Sequence, residues 1–171
     1  ASQGNEIAYA LYVLARNKRA SATDLRYYSE SQLDRFASPM ARAHLGASLS
    51  LYGDQAKADA VFESAFGLAK AGSTLNLSRG DYGSALRDDA AMLALAAETR
   101  PVPASVPAMV EHVSALRKKA SYTSTQEDAW MLMAARAIKE GVNAINLTVN
   151  GQAHTGVYSK SVTGEELEAN A

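Results

Sequence analysis

The chain of 171 residues contains no cysteine, and this absence removes several kinds of chemistry at once. Disulfides, thiolate metal sites and cysteine nucleophiles are excluded from these residues. The redox compartment stays open, because a cysteine-free chain is compatible with oxidising and with reducing surroundings. No segment approaches the roughly 20 apolar residues of a membrane span, so we expect no membrane insertion of these residues. The start, Ala1-Ser2-Gln3-Gly4, has neither the charge nor the apolar core of a signal peptide.

The chain also has no large net charge, since it contains 17 basic and 18 acidic side chains. No basic stripe is present, which argues against nucleic-acid binding. The hydrophobic fraction of 47% is normal for a globular protein. Much of it is alanine, which favours closely packed helices over a β-sandwich.

Apolar residues recur at helical spacing in seven segments. These segments cover residues 5–18, 23–35, 39–52, 55–71, 84–98, 106–119 and 121–141. The last one contains a capping-box pattern at Ser124 and Glu127, and we expect Gly141 to end it. Because it is apolar almost all round, we expect this seventh helix to be buried on several sides.

The seven segments alternate in character. The first, third, fifth and seventh are rich in alanine and apolar on much of their circumference, whereas the second, fourth and sixth have a charged face. The period is near 40 residues, and the end of the fifth segment resembles the seventh at an offset of about 39. This pattern predicts an all-α fold of stacked αα-hairpins over residues 5–141, either a solenoid or part of an α/α toroid.

The pattern changes after Gly141. Apolar and polar residues alternate over residues 144–149, which is typical of a strand. Asn150-Gly151 is a strong hairpin signal, and residues 155–162 are expected to supply the return strand. A lone hairpin is marginal in water, so we assign residues 142–163 to an adjoining β-domain and residues 164–171 to a flexible tail. With a helix almost at its start, the chain has the character of a fragment of a longer protein.

The chemically interesting residues have simpler explanations. His44, His112 and His154 fall on an inner helix, an outer polar face and a hairpin, without metal-ligand spacing. Arg87-Asp88-Asp89 opens the fifth helix, where acids favour the helix dipole. An enzyme of the toroid class would need Asp88, Asp89 and Asp128 to converge. We expect no enzyme, no catalytic, cofactor-binding or metal-binding residue, and no cofactor.

Three further motifs are weak. Arg79-Gly80-Asp81 is an adhesion tripeptide in a glycine-rich loop, and Asn76 and Asn146 begin glycosylation sequons. One helix pair has the spacing of a tetratricopeptide unit, through Leu45-Gly46, Ala58, Phe62 and Ala65. A repeat scaffold for protein–protein binding is therefore the alternative interpretation.

Three stretches together resemble the thioester-domain region of bacterial alpha-2-macroglobulins, which trap proteases at the cell envelope. They are residues 25–28 with 36–43 and 51–54, residues 81–88, and Ser-Thr-Gln-Glu-Asp-Ala-Trp at 124–130. The resemblance covers roughly residues 5–160. It implies the C-terminal part of an α/α toroid that runs into a flanking β-domain.

The resemblance also implies a function for the parent protein and limits what these residues contribute. In this family a protease cuts a bait region, and an exposed Cys-Gln thioester captures the attacker. The Cys-x-Glu-Gln motif is not in the chain, so no thioester residue is assigned here. We expect an inert structural fragment of a broad-range protease inhibitor that protects the envelope. Its partners would be proteases, through the full-length protein, and neighbouring domains. A periplasmic or extracellular location, with a signal or anchor upstream, would follow.

Overall fold

The computed structural model describes residues 2–72, 83–143, 146–149 and 151–156, and structural statements refer to those residues. No helix in this part is both long and apolar enough to cross a membrane. The helices are α1 (Ser2–Arg16), α2 (Ala22–Ser31), α3 (Pro39–Leu51), α4 (Gln55–Ala71), α5 (Ala85–Glu98), α6 (Val106–Lys119) and α7 (Thr125–Asn143). A 3-10 turn (Leu33–Arg35) follows α2, and two strands, β1 (Asn146–Val149) and β2 (Gln152–Thr155), follow α7.

Serine side chains begin four of the described helices, and three of them, at α2, α3 and α5, share one arrangement. Ser21, Ser38 and Ser84 each accept a hydrogen bond from the backbone N–H three residues later, at 3.0–3.2 Å. Such a bond satisfies one of the four N–H groups that a helix start leaves without a partner. Residues 23–35, expected as one helix, divide after Ser31 into α2 and the 3-10 turn.

The capping box of α7 is confirmed, but its expected end is wrong. The backbone N–H of Ser124 donates to Glu127 Oε2 at 2.6 Å, and the N–H of Glu127 donates to Ser124 Oγ at 3.3 Å. The helix continues through Gly141 to Asn143. A glycine inside a helix lowers helix stability but does not end it by itself.

The odd- and even-numbered helices take different positions. Helix α3 packs against α1 and α5, so these three lie side by side. Helix α2 packs on α3, α4 packs on both α3 and α5, and α6 packs on α5. Helix α7 joins the core of α5 and α6 through buried Ala134 and Ala137. The described helices confirm an all-α array of αα-hairpins that forms part of an α/α toroid, with a short β-hairpin after it.

Helix α5, and not α7, is the helix buried all round. Every residue from Leu86 to Ala97 is buried. In α7, by contrast, the side chain of Leu132 is 72% exposed and that of Met133 is 43% exposed. The expectation that α7 is enclosed on several sides is therefore wrong. An apolar circumference shows that a helix can be buried, but the neighbours decide which of its faces are covered.

The chain divides into two compact units, Ala1–Ile138 and Lys139–Ala171. In the second unit β1 and β2 pair antiparallel, with Val149 opposite Gln152 and Asn146 opposite Thr155. The hairpin is confirmed, but its return strand begins at Gln152, directly after the turn, and not at Thr155. The rest of the expected strand and the tail 164–171 lie outside the described residues.

Candidate functional site

Charged side chains are buried together at the start of α5. Arg87, Asp88 and Asp89 are exposed by 6%, 1% and 2%. Acids near a helix start suit the dipole, as expected, but these groups are far from solvent and need partners. The first turn of α5 is therefore the candidate functional site of the helical unit.

Arg87 connects α5 to the start of α7. Its Nε and Nη2 atoms donate to Asp88 Oδ1 at 3.0 and 2.7 Å, and its Nη1 donates to Gln126 Oε1 at 3.2 Å. A second bond runs beside this one, because Ser84 Oγ donates to Glu127 Oε1 at 2.5 Å. We call Ser84, Arg87, Asp88, Gln126 and Glu127 the α5–α7 network. It ties the first turns of two helices together.

Glu127 has two roles in the α5–α7 network. It closes the capping box of its own helix and accepts from Ser84. Burial raises the pKa of Glu127, but the hydrogen bonds from Ser124 and Ser84 outweigh this and leave the pKa below its usual value. The carboxylate is thus held in its charged form as a hydrogen-bond acceptor.

Asp89 points to another helix. Its Oδ2 atom lies 2.9 Å from His112 Nε2 on α6, and the His112 ring meets the edge of Phe66 with centroids 5.9 Å apart. Burial raises the pKa of Asp89, and the hydrogen bond from His112 opposes this shift. The expectation that His112 lies on an outer polar face is wrong. The ring is half-buried, because its contact with Asp89 holds it on the side of α6 that packs on α5.

The remaining histidines lie apart from these groups. His44 on α3 is 1% exposed and sits among aromatic rings of α1 and α7. His154 lies on β2 opposite Leu147. Within the described ranges, no three of the histidine, aspartate and glutamate side chains are placed to hold a metal ion.

The acids named for an enzyme interpretation do not meet as a set. Asp88 is bonded to Arg87 and Asp89 to His112, while Asp128 is exposed on α7. Each buried acid is thus held by a cation or an imidazole, which is the arrangement of a structural ion pair. The adhesion tripeptide 79–81 and the sequon at Asn76 lie outside the described residues.

A cavity of about 360 Å³ opens between the C-terminal ends of α1, α3 and α5. Its charged groups are already engaged with the protein. Arg16 Nη1 lies 3.6 Å from Glu98 Oε2 and donates to the Tyr12 hydroxyl at 3.0 Å. Arg100 Nη1 donates to the carbonyls of Ala97 and Thr99. The cavity therefore lacks the converging free polar groups of a typical ligand site.

Sequence reasoning missed the α5–α7 network, although a signal for it was present. Arg87 and Gln126 are 39 residues apart. That separation equals the offset at which the fifth and seventh segments resemble each other. Residues one repeat apart occupy equivalent positions on equivalent helices, so the offset itself pairs Arg87 with Gln126.

The chain is similar to known proteins over nearly its whole length. It is 31% identical over 161 residues to the alpha-2-macroglobulin of Escherichia coli strain K12, covering 94% of the chain and 9% of that relative. It is 34% identical over 139 residues to the alpha-2-macroglobulin of Xylella fastidiosa strain Temecula1, covering 77% and 8%. The chain thus spans less than a tenth of the length of these relatives. No protein-family profile matches it.

Solved structures agree with the sequence similarity. The crystal structure of Salmonella alpha-2-macroglobulin reacted with methylamine superimposes with a TM-score of 0.69 and 28% identity, covering 91% of the chain and 10% of that structure. Escherichia coli alpha-2-macroglobulin activated by porcine elastase gives a TM-score of 0.68 and 29% identity, covering 91% and 14%.

Proposed function

Because the chain belongs to the bacterial alpha-2-macroglobulin family, we propose that it is a structural segment of a broad-range protease trap that protects the cell envelope. The observation that carries this proposal is the alignment of 94% of the chain with the Escherichia coli relative at 31% identity. The segment itself has no catalytic activity in this proposal. Its buried charges hold helices together, as the α5–α7 network does.

The proposal assigns each part of the chain a place in the larger protein. Residues 5–141 are part of the helical toroid, residues 142–163 belong to a neighbouring β-domain, and residues 164–171 form a flexible tail. The partners are neighbouring domains of the same protein and, through the whole protein, proteases. The location is periplasmic or extracellular.

Two apolar surfaces support an origin in a larger assembly. Tyr9, Val13 and Leu14 are 57%, 40% and 42% exposed on α1, and Leu132 and Met133 are exposed on α7. Contiguous exposed apolar residues mark surfaces that a partner covers. In the proposal, neighbouring parts of the same protein cover these two helix faces.

The chemistry of trapping would reside in other residues. One of the two similar solved structures is of a protein reacted with methylamine, and the other is of a protein activated by porcine elastase. Methylamine is a nucleophile, which fits a reactive thioester in the parent protein. Since the present residues include no cysteine, they supply no thioester sulfur.

The test uses the full-length protein that contains this segment. It is incubated with porcine elastase, with and without prior methylamine, and then mapped by peptide mass spectrometry. We expect a covalent elastase adduct, its loss after methylamine, and a methylamine adduct on a glutamine with a newly free cysteine thiol. Elastase that is neither retained nor inhibited would refute the trap. Retention without any amine uptake would support a trap that lacks the thioester.

A pair of variants tests the role of the segment. Leu132→Glu places a charge on the exposed face of α7, whereas Ala115→Glu places one on the exposed side of α6. If the rest of the protein covers the α7 face, Leu132→Glu reduces the yield of elastase adduct in the full-length protein and Ala115→Glu does not. Equal yields for the two variants would contradict a covered α7 face.

A further inference from the structure

Three helices meet at the imidazole of His44. Its ring centroid lies 5.5 Å from that of Tyr9 and 5.2 Å from that of Tyr12, both on α1. It lies 6.5 Å from the ring centroid of Trp130 on α7. Because His44 belongs to α3, the ring joins α1, α3 and α7. We call these four side chains the His44 cluster.

The polar edge of the ring has no partner inside the His44 cluster. His44 is 1% exposed, and its Nε2 atom makes no hydrogen bond within the part of the chain that the structure describes. Burial lowers the pKa of His44 to about 4, although the carbonyl of Met40 opposes the shift. The ring is therefore neutral at pH 7, and a second proton, on Nε2, would add a buried charge at an atom that has no acceptor among the described residues.

The charged groups on the packed helices are engaged elsewhere. On α1 the rings of the two tyrosines contact the imidazole, Arg16 donates to the Tyr12 hydroxyl, and Glu6 is exposed. On α5, which packs beside α3, Asp88 is bonded to Arg87 and Asp89 to His112.

The helices α3, α4 and α7 offer no counter-ion either. On α3 itself Arg42 binds Ser64 of α4 and the Phe36 carbonyl. On α7 the acids before Trp130 are Glu127, held by Ser84 and Ser124, and Asp128, which is exposed. On α4 Lys57 pairs with Glu30 and Asp54, and Asp59 accepts from Gln55. The other charged residues of this helix, Glu63 and Lys70, are exposed.

We propose that the His44 cluster is an acid-sensitive lock, in which protonation of the imidazole releases α1 and α7 from α3. The inference is independent of the proposed function, since it rests on the packing of four side chains. At neutral pH the ring is an uncharged member of an aromatic cluster. Protonation would place a charge on this ring where burial has removed its solvation, and burial is the main cause of the lowered pKa of His44.

The sign of the pH dependence follows from proton linkage. His44 binds its proton near pH 6.5 in the unfolded chain and near pH 4 in the folded one. Between these two pH values the unfolded state binds more protons than the folded state. The contribution of His44 to the free energy of unfolding is therefore complete above pH 6.5 and decreases as the pH falls towards 4. The unfolding equilibrium constant should rise on the order of a hundredfold between pH 7 and pH 4 from this group alone.

Trp130 reports on the lock directly, because it is the only tryptophan of the chain. The experiment follows its fluorescence from pH 8 to pH 3 in the 171-residue chain, together with histidine NMR and urea denaturation at each pH. We expect the Trp130 emission to shift to the red, as water reaches the indole, in the same pH interval in which the His44 ring gains its proton. The ring should titrate well below pH 6.

Matched variants separate His44 from general acid effects. In His44→Phe the aromatic contacts remain and no proton can bind, so the change in emission and the associated loss of stability should disappear between pH 6.5 and pH 4. His44→Gln gives the same test if the larger apolar ring is not accommodated. His154→Gln, on strand β2, is the control and should keep the wild-type transition.

Two results would overturn the proposal. One is a His44 ring that titrates near pH 6.5 without any change in Trp130 emission. The other is a pair of His44 variants that show the same hundredfold acid response as the wild type. Either result means that the imidazole does not hold the three helices together.

Discussion

A pair of glycines on adjacent helices allows packing between α3 and α4 to be tested at the level of one methyl group. Gly46 on α3 is buried, and a Cβ added there would lie 3.2 Å from Phe62 Cδ2 and Cε2 and 3.3 Å from Cζ. Gly67 on α4 is exposed, and a Cβ added there would meet nothing within 4 Å. Both positions are inside helices, so Gly→Ala changes helix propensity equally but packing at only one of them.

The magnitudes decide the expected order of stability. Alanine is favoured over glycine inside a helix by about 1 kcal/mol, so Gly67→Ala should raise the free energy of unfolding by about that much. At Gly46 the same gain is opposed by contacts shorter than the usual 3.5–4.0 Å between carbon atoms. Phe62 is fully buried and has little room to move, and overpacking costs roughly 1–3 kcal/mol. Gly46→Ala should therefore be about 1–3 kcal/mol less stable than Gly67→Ala.

The assay is urea denaturation followed by far-UV circular dichroism, at pH 7 where the His44 ring is neutral. Phe62→Leu removes part of the ring that the new methyl group would meet. The double variant, Gly46→Ala with Phe62→Leu, should lose less free energy of unfolding than the sum of the two single losses, because the methyl group takes up space that the ring vacates. If Gly46→Ala and Gly67→Ala change the free energy of unfolding by the same amount, within about 0.5 kcal/mol, the close packing of α3 on α4 is refuted.

Two further predictions concern the cap of α7 and the α5–α7 network. Ser124→Ala removes the cap of α7 and should lower the free energy of unfolding by about 1 kcal/mol in urea denaturation; an unchanged value would contradict the observed capping box. Arg87→Met leaves the carboxylate of Asp88 buried without its arginine and should cost about 3 kcal/mol or more, whereas the exposed control Lys118→Met should stay within about 0.5 kcal/mol. Equal effects of the two substitutions in the same denaturation experiment would mean that the Arg87–Asp88 pair is not buried in solution.

The helices could be predicted from local signals because the residues that begin them are adjacent in sequence. Ser38 with Pro39 starts α3 as expected, and Ser124 with Glu127 starts α7. In each case the hydrogen-bonding side chain and the N–H it satisfies are within three residues, so no distant part of the chain is needed to identify them. The same holds for the hairpin turn around Gly151, whose positive φ of 81° glycine adopts without strain.

Burial could not be predicted in the same way. The apolar circumference of α7 indicates an enclosed helix, yet Leu132 is 72% exposed, and it is α5 that is buried along its length. The two segments resemble each other in composition, so composition alone cannot distinguish them. The difference lies in their neighbours: α5 has α3, α4 and α6 packed around it. The number of neighbours is a property of the tertiary arrangement.

The contacts of the buried charges show which tertiary contacts the repeat period can predict and which it cannot. The helix dipole explains why acids follow Ser84, but it does not predict that Asp88 and Asp89 are buried. The offset of 39 residues does place Gln126 beside Arg87, since one repeat separates them. The contact between Asp89 and His112 spans 23 residues, from α5 to α6, and corresponds to no repeat. Contacts between equivalent helices can thus be derived from the period, whereas contacts within a hairpin depend on the lengths of its helices and loop. In this chain the α5–α7 network belongs to the first kind, and the Asp89–His112 pair belongs to the second.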